Sequence, residues 1–185
     1  MNDLPSSRPV ILLVDDNPHD VVLIRLAFRK VGIIDTIQLA KDGTEAMSYI
    51  KGDGRYRDRT QFPPPTLVLL DLKMPGTSGF DVLKWIRAQP GLNSMVVVVM
   101  SGSREDADIK LAYDLRANSY LIKPAKFEDL VKMMESLKDY CSWRKNGHAK
   151  STTHVTLPKP PAESVRNCLV SVMEPVSLAA PAVAA

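Results

Sequence analysis

Four short apolar runs in the sequence each end on residues able to do chemistry. Val10–Val14 is followed by Asp15-Asp16, Thr66–Leu70 by Asp71, Met95–Met100 by Ser101, and Ser119–Ile122 by Lys123-Pro124. If one fold gathers these ends, three carboxylates, a hydroxyl and an ammonium share one crevice. Close carboxylates repel, and in low dielectric at least one stays protonated unless cations compensate. Lys123 supplies one positive charge, and a divalent ion would supply more. An all-oxygen donor set without His or Cys favours Mg²⁺ or Mn²⁺ over zinc. Mg²⁺ prefers few carboxylates plus a phosphate, which leaves one carboxylate free as a nucleophile. A carboxylate oxygen attacking phosphorus gives an aspartyl phosphate, with transition-state charge spread over three equatorial oxygens. The metal, the Lys123 ammonium, the Ser101 hydroxyl and nearby backbone N–H groups suit those oxygens. Asp71 stands alone at the end of its run and is assigned the attack. The adjacent pair Asp15-Asp16 is assigned the metal.

The elements that must position these groups are legible in the hydrophobic pattern. Continuous apolar runs are expected of strands covered on both faces. The fourth strand, with Val96-Val97-Val98-Val99, is the clearest, and Thr36–Ala40 is a weaker one. Between strands, apolar residues recur at helical spacing. Asn17 or Pro18 opens a helix whose stripe is Val21, Ile24, Phe28 and Val31, widened by Leu23, Leu26 and Ala27, and Gly32 ends it. Asp42–Lys51 is a short helix with Ala46, Met47 and Ile50 facing in. Phe80–Ala88 and Glu105–Arg116 are further helices. The last begins near Lys126, with Phe127, Leu130, Val131, Met134, Leu137 and Cys141 in one stripe. The polar stretch Gly52–Pro65 reads as a solvated loop. Five strands alternating with five helices imply an α/β fold: a doubly wound parallel sheet with helices on both faces. Its ligand crevice lies at the carboxyl ends of the strands.

At this point a family resemblance is visible. Leu13-Val14-Asp15-Asp16-Asn17, Leu70–Gly79, Val99-Met100-Ser101-Gly102 and Tyr120-Leu121-Ile122-Lys123-Pro124 resemble the receiver domain of two-component response regulators, over about Val10 to Tyr140. The resemblance implies the flavodoxin-like strand order 2-1-3-4-5. It implies phosphoryl acceptance at Asp71 from a sensor histidine kinase, with Ser101 and Lys123 assisting. It implies Mg²⁺ held by Asp16 and Asp71, by Asp15 largely through water, and by the backbone carbonyl of Lys73. It further implies a Ser101/Tyr120 switch pair and a cis peptide bond before Pro124. The overall look is that of stand-alone receivers serving phytochrome-type kinases. The expected function is a phosphoacceptor switch, not a true enzyme, signalling through protein–protein contact with a partner or a homodimer. The alternative is a phosphorelay shuttle passing phosphate to a histidine phosphotransfer protein. The sequence departs from the family in having Ser101 where Thr is more frequent, and in a longer Gly52–Pro65 stretch.

Bland readings exist for each residue alone. Asp15-Asp16 could cap a helix, Asp71 could cap a turn, Lys123 could be a surface lysine and Tyr120 plain packing. The joint pattern outweighs them. Lys84, Arg87, Lys110 and Arg116 read as solvated helix faces, and His19, His148 and His154 lack metal-ligand spacing. A haloacid-dehalogenase-type phosphohydrolase wants a second Asp two residues after the nucleophile, where this chain has Lys73. Lys and Arg exceed Asp and Glu by only three, 24 against 21, and the excess is spread out, so no nucleic-acid footprint is expected. Two cysteines give no disulfide framework. No run nears the roughly 18 apolar residues of a membrane span, and no signal peptide is visible, so a cytoplasmic location is expected.

The chain divides into a flexible segment 1–9, a receiver domain 10–146 and a Pro-, Ala- and Ser-rich tail 147–185 expected to be disordered. The tail, with three basic and two acidic residues, carries no pattern of a DNA-reading helix. Deleting residues 147–185 is expected to leave phosphorylation and the thermal unfolding midpoint nearly unchanged. A large drop in either, measured on the truncated chain, would show that the tail packs on the domain.

Overall fold

The structure is a computed structural model; it describes residues 10–33 and 37–145, with side chains described as far as residue 138. The expected segments 1–9 and 147–185, and the side chain of Cys141, lie outside what is described. Strands β1 (Ile11–Val14), β2 (Ile37–Ala40), β3 (Leu67–Leu70), β4 (Val96–Ser101) and β5 (Ser119–Ile122) alternate with helices α1 (Pro18–Lys30), α2 (Gly43–Lys51), α3 (Gly79–Ala88), α4 (Asp106–Asp114) and α5 (Phe127–Lys145). All strand pairs are parallel, in the order β2-β1-β3-β4-β5. This is the doubly wound sheet the sequence predicts.

Alternation inside the fully apolar strands feeds two separate cores. Ile11, Leu13, Leu67, Leu69, Val96 and Val98 pack with Ile24, Phe28, Met134 and Leu137 of α1 and α5. Leu12, Val14, Val68, Leu70, Val97 and Val99 pack with residues of α2, α3 and α4 such as Ala46, Tyr49, Leu83, Ile86 and Ile109. Both faces being covered is why these strands need no polar positions. The register then sets the site: Ala40, Val14, Leu70, Val99 and Tyr120 form one row across the sheet. Asp15 and Asp71 lie one step beyond that row, Ser101 two steps and Lys123 three.

The helix start expected at Asn17 or Pro18 is observed in full. Asn17 is the N-cap, its side chain accepting from the His19 N–H, and Pro18 fills the first turn. The stripe is narrower than expected. Val21, Ile24, Ala27, Phe28 and Val31 are buried, but Leu23 and Leu26 are each 45% exposed. A single helix on a sheet buries only one face of its 3.6-residue turn, and those two positions fall outside it. In α2 it is Tyr49 that is fully buried, beside Ala46 and Ile50, while Met47 is only half-buried.

The Gly52–Pro65 stretch is not a merely solvated loop. Gly52 takes the left-handed conformation that ends α2, and a single 3-10 turn follows at Gly54–Tyr56. Phe62 stands edge-on to both Tyr49 and Tyr56, which are tilted against each other, with centroids 5.0–6.2 Å apart. The Arg59 guanidinium donates to the carbonyls of Tyr49, Ile50 and Phe62, satisfying the open end of α2. Arg87 likewise is not simply solvated. It donates to the carbonyls of Met95 and Arg116 and to Asn118 Oδ1, tying α3 to the chain just before β4 and just before β5. Among the described residues no helix is long and apolar enough to cross a membrane.

One glycine matters directly to the site. Gly79 opens α3 against the backbone that follows β3, donating to the Leu72 carbonyl at 3.0 Å. A Cβ there would lie 2.1 Å from the Asp71 carbonyl oxygen and 2.8 Å from Leu72 Cα. Those are backbone atoms that cannot move without moving Asp71. Gly79→Ala is expected to cost about 1–3 kcal/mol of stability, the scale of overpacking a tight contact. Urea unfolding checks this, with an unchanged midpoint counting against it.

Candidate functional site

The backbone carries the chemistry-bearing residues to one edge. Asp15 N–H donates to Ala40, Asp71 N–H to Val14 and Lys123 N–H to Ser101, so each is held by the neighbouring strand as it leaves the sheet. Asp15, Asp16 and Asp71 each present a carboxylate oxygen within 4.8 Å of the others. Asp15 and Asp71 are buried and Asp16 is exposed. The Asp15 Oδ1 accepts from Asn17 N–H at 2.9 Å, and Asp71 Oδ1 from Leu72 N–H at 2.7 Å. The second oxygens of both face Lys123.

The Lys123 ammonium donates to Asp15 Oδ2 at 2.8 Å, Asp20 Oδ2 at 2.8 Å and Asp71 Oδ2 at 3.1 Å. Burial works against its charge, but its hydrogen bonds to Asp15 and Asp20 and the charge of Asp71 prevail and hold its pKa above the ordinary lysine value. Burial raises the Asp15 carboxyl above its ordinary value, against the pull of Lys123. For this pair the direct contact decides: a 2.8 Å bond to an ammonium whose own charge is favoured keeps the ion pair.

Ser101 is buried and its hydroxyl accepts from the Ser103 N–H at 3.3 Å. Tyr120 lies inward, its phenol donating to the Ser103 carbonyl at 3.0 Å. Burial pushes that phenol above the ordinary tyrosine value. The Ser103 hydroxyl donates to Asp108 of α4 at 2.6 Å. Lys73 is exposed at the rim, its ammonium 3.6 Å from Asp108 and 3.7 Å from Glu105. Asp20, Asp71, Lys73, Ser101 and Lys123 thus line one crevice. A wider depression beside α2, between Lys41, Glu45, Tyr56 and Thr77, holds none of these groups. Its Glu45 carboxylate is already spent on Arg55, Tyr56 and the Lys41 N–H.

Every site residue read from the sequence reaches this edge, and one expectation fails. The Lys123–Pro124 peptide bond is trans, since the described residues contain no cis bond. Trans is the lower-energy form even before proline, and in it Lys123 already reaches its three carboxylates. Sequence reasoning missed Asp20, whose only visible signal is its place four residues after Asp16 in the first turn of α1. It also missed Asp108.

Residues 11–135 match the family model described as the response regulator receiver domain. The chain belongs to the response regulator receiver family. The probable methanogenesis regulatory protein FilR2 of Methanothrix harundinacea is 40% identical over 134 residues, covering 71% of this chain and 82% of that one. The response regulator Rcp1 of Synechocystis is 33% identical over 140 residues, covering 76% of this receiver chain and 93% of its own. The solved Mn²⁺-bound form of Rcp1 superposes with a TM-score of 0.65 over 72% of this chain and 94% of that one. The phosphorylated cyanobacterial phytochrome response regulator RcpA superposes with a TM-score of 0.67 at 31% identity, over 80% of this chain and all of that one.

The receiver's carboxylate cluster fits a divalent cation on its own chemistry: three close oxygens, two from buried residues, and a single ammonium against four acidic side chains. Removing that ammonium leaves the buried Asp15 unpaired. Lys123→Met in metal-free buffer is expected to lose on the order of 3 kcal/mol at neutral pH. The sign of the pH dependence follows from Asp15: burial raises its folded pKa above 3.8 and Lys123 opposes that, so without Lys123 it rises further in the variant than in the wild type. Such a group costs stability while ionised, so the deficit should shrink as pH falls from 7 toward 5. The wild-type Lys123 contribution is full below 10.5 and is constant over that range. Urea unfolding at both pH values checks this, and a deficit that grows on acidification overturns it.

Proposed function

We propose that this chain is a phosphorylation-controlled switch that accepts a phosphoryl group on Asp71 from the phosphohistidine of a sensor kinase. The observation that carries this reading is the Lys123 ammonium bound at once to Asp15 and Asp71 at the end of a parallel sheet. Such an arrangement tolerates a carboxylate nucleophile and an arriving phosphoryl group in the same crevice. Asp71 Oδ2 points at Lys123, while its Oδ1 is held by the Leu72 N–H, so the carboxylate is oriented before any donor arrives.

In the transfer, a lone pair on the Asp71 carboxylate forms the P–O bond as the P–N bond to the donor histidine breaks. The imidazole nitrogen keeps that electron pair and takes up a proton. Lys123 donates to one phosphoryl oxygen and the buried Ser101 hydroxyl to another. Mg²⁺ or Mn²⁺ would be held by Asp15, Asp16, Asp71 and the Lys73 carbonyl, and when bound it neutralises charge on the phosphoryl oxygens. The protein acts on itself in this reaction and turns over no separate substrate.

The signal leaves through α4. A phosphoryl group on Asp71 adds charge and acceptors, and drawing Ser101 toward it removes the acceptor of the Ser103 N–H. Ser103 is also the residue that receives Tyr120 and that bonds Asp108. The rearranged face of α4, β5 and α5 then binds a partner protein or a second copy of the chain. The similarity to the phytochrome response regulator RcpA supports a phytochrome-type kinase as phosphodonor.

Asp71→Asn is expected to abolish labelling by acetyl phosphate in the presence of Mg²⁺. Undiminished acid-labile, hydroxylamine-sensitive labelling of that variant would move the acceptor elsewhere and overturn the reading.

A further inference from the structure

The Lys123 ammonium has three N–H donors and no more. All three are in use, one each on Asp15, Asp20 and Asp71. A phosphoryl oxygen delivered at Asp71 therefore finds no free donor on Lys123 unless one carboxylate gives way.

The three are not equally able to do so. The Asp15 side chain is 1% exposed, and releasing it would leave a buried carboxylate with only the Asn17 N–H. Asp71 is the acceptor itself, tied through its other oxygen to Leu72 N–H. The Asp20 side chain is 30% exposed and, among the described residues, accepts from no donor but Lys123. It sits on the first turn of α1, so its carboxylate can turn to water at little cost, and the helix N-terminus favours its charge there.

We propose that Asp20 is a positioning residue that stands in for the phosphoryl group in the resting state, occupying the third donor of Lys123 until the anion on Asp71 displaces it. This rests on Asp71 being the acceptor, and goes beyond it by assigning a role to a fourth carboxylate outside the metal-binding cluster of Asp15, Asp16 and Asp71. Two consequences follow. In the resting protein Asp20 occupies the third donor of Lys123, the other two being held by Asp15 and Asp71. On phosphorylation it competes with the phosphoryl oxygen for one charge-assisted hydrogen bond and repels the anion, so its presence sets a penalty on the activated state.

The test is a titration of the full-length chain with beryllofluoride, a phosphoryl mimic, in Mg²⁺, followed by fluorine NMR. Asp20→Asn, which keeps the shape and removes the charge, is expected to bind it roughly tenfold more tightly, the scale of one charge-assisted hydrogen bond. Asp20→Ser, a second neutral residue suited to a helix first turn, should do the same if the amide folds poorly. Asp20→Glu should stay within a factor of about two of wild type. Asp114→Asn, a charge removed at the exposed far end of α4, should change nothing. Equal or weaker binding by both neutral variants overturns the proposal, as does an equal gain in Asp114→Asn, which would make net charge the cause. If the wild-type chain binds no beryllofluoride, or Asp71→Asn binds it as well as wild type, the acceptor assignment itself fails.

Discussion

The arrangement depends on one shared ammonium. The sheet delivers Asp15 and Asp71 side by side because their backbones are bonded into neighbouring strands, and burial denies both the water that would screen them. Two carboxylates in such a place repel, and without a cation one of them would take up a proton. Lys123, arriving from the end of β5, donates to both from a largely buried position, with 15% of its side chain exposed. Asp16 keeps its own hydration at the rim. The resting crevice is left acidic overall, which suits a cation and then an anion that brings a cation with it.

The precision of that edge comes from the two cores beneath it. The apolar side chains of β1, β3 and β4 are locked into two layers, so the register, and with it the step at which each of these strands ends, is not free to slip. Gly79 and the Ser78–Asp81 capping box then turn the chain sharply out of β3 and start α3 against the Asp71 carbonyl. On the β4 side of the crevice, Ser103 links several groups. Ser103 receives Tyr120 on its carbonyl, binds Asp108 with its hydroxyl and donates its N–H to Ser101. One residue thus joins the hydroxyl at the crevice, the inward aromatic of β5 and the first turns of α4. A change at Ser101 has a short physical route to a surface.

The strands were legible because each is covered on both faces and therefore reads as an unbroken apolar run. β5 has the expected bounds, and β4 differs only by starting at Val96 and including Ser101. Helix starts were legible where a side chain caps them, as with Asn17 and Asp42. What failed has a common cause. Leu23 and Leu26 are apolar, but burial depends on which face of α1 meets the sheet. Arg59 and Arg87 look like surface cations until the carbonyls they satisfy are brought near by helices and connections elsewhere in the chain. A polar loop hid an aromatic cluster because its partner, Tyr49, belongs to α2.

The sequence by itself determined which residues stand at the ends of the strands, since unbroken apolar runs, capping and turn chemistry act over a few residues at a time. That was enough to name Asp15, Asp16, Asp71, Ser101 and Lys123 as neighbours. The tertiary structure alone decided how their hydrogen bonds are shared out. The bonds from Lys123 to Asp15, Asp20 and Asp71 span 108, 103 and 52 residues, and a long flexible ammonium takes whichever acceptors the packed elements bring within reach. The inclusion of Asp20 and the inward pose of Tyr120 follow from that packing and from no local pattern.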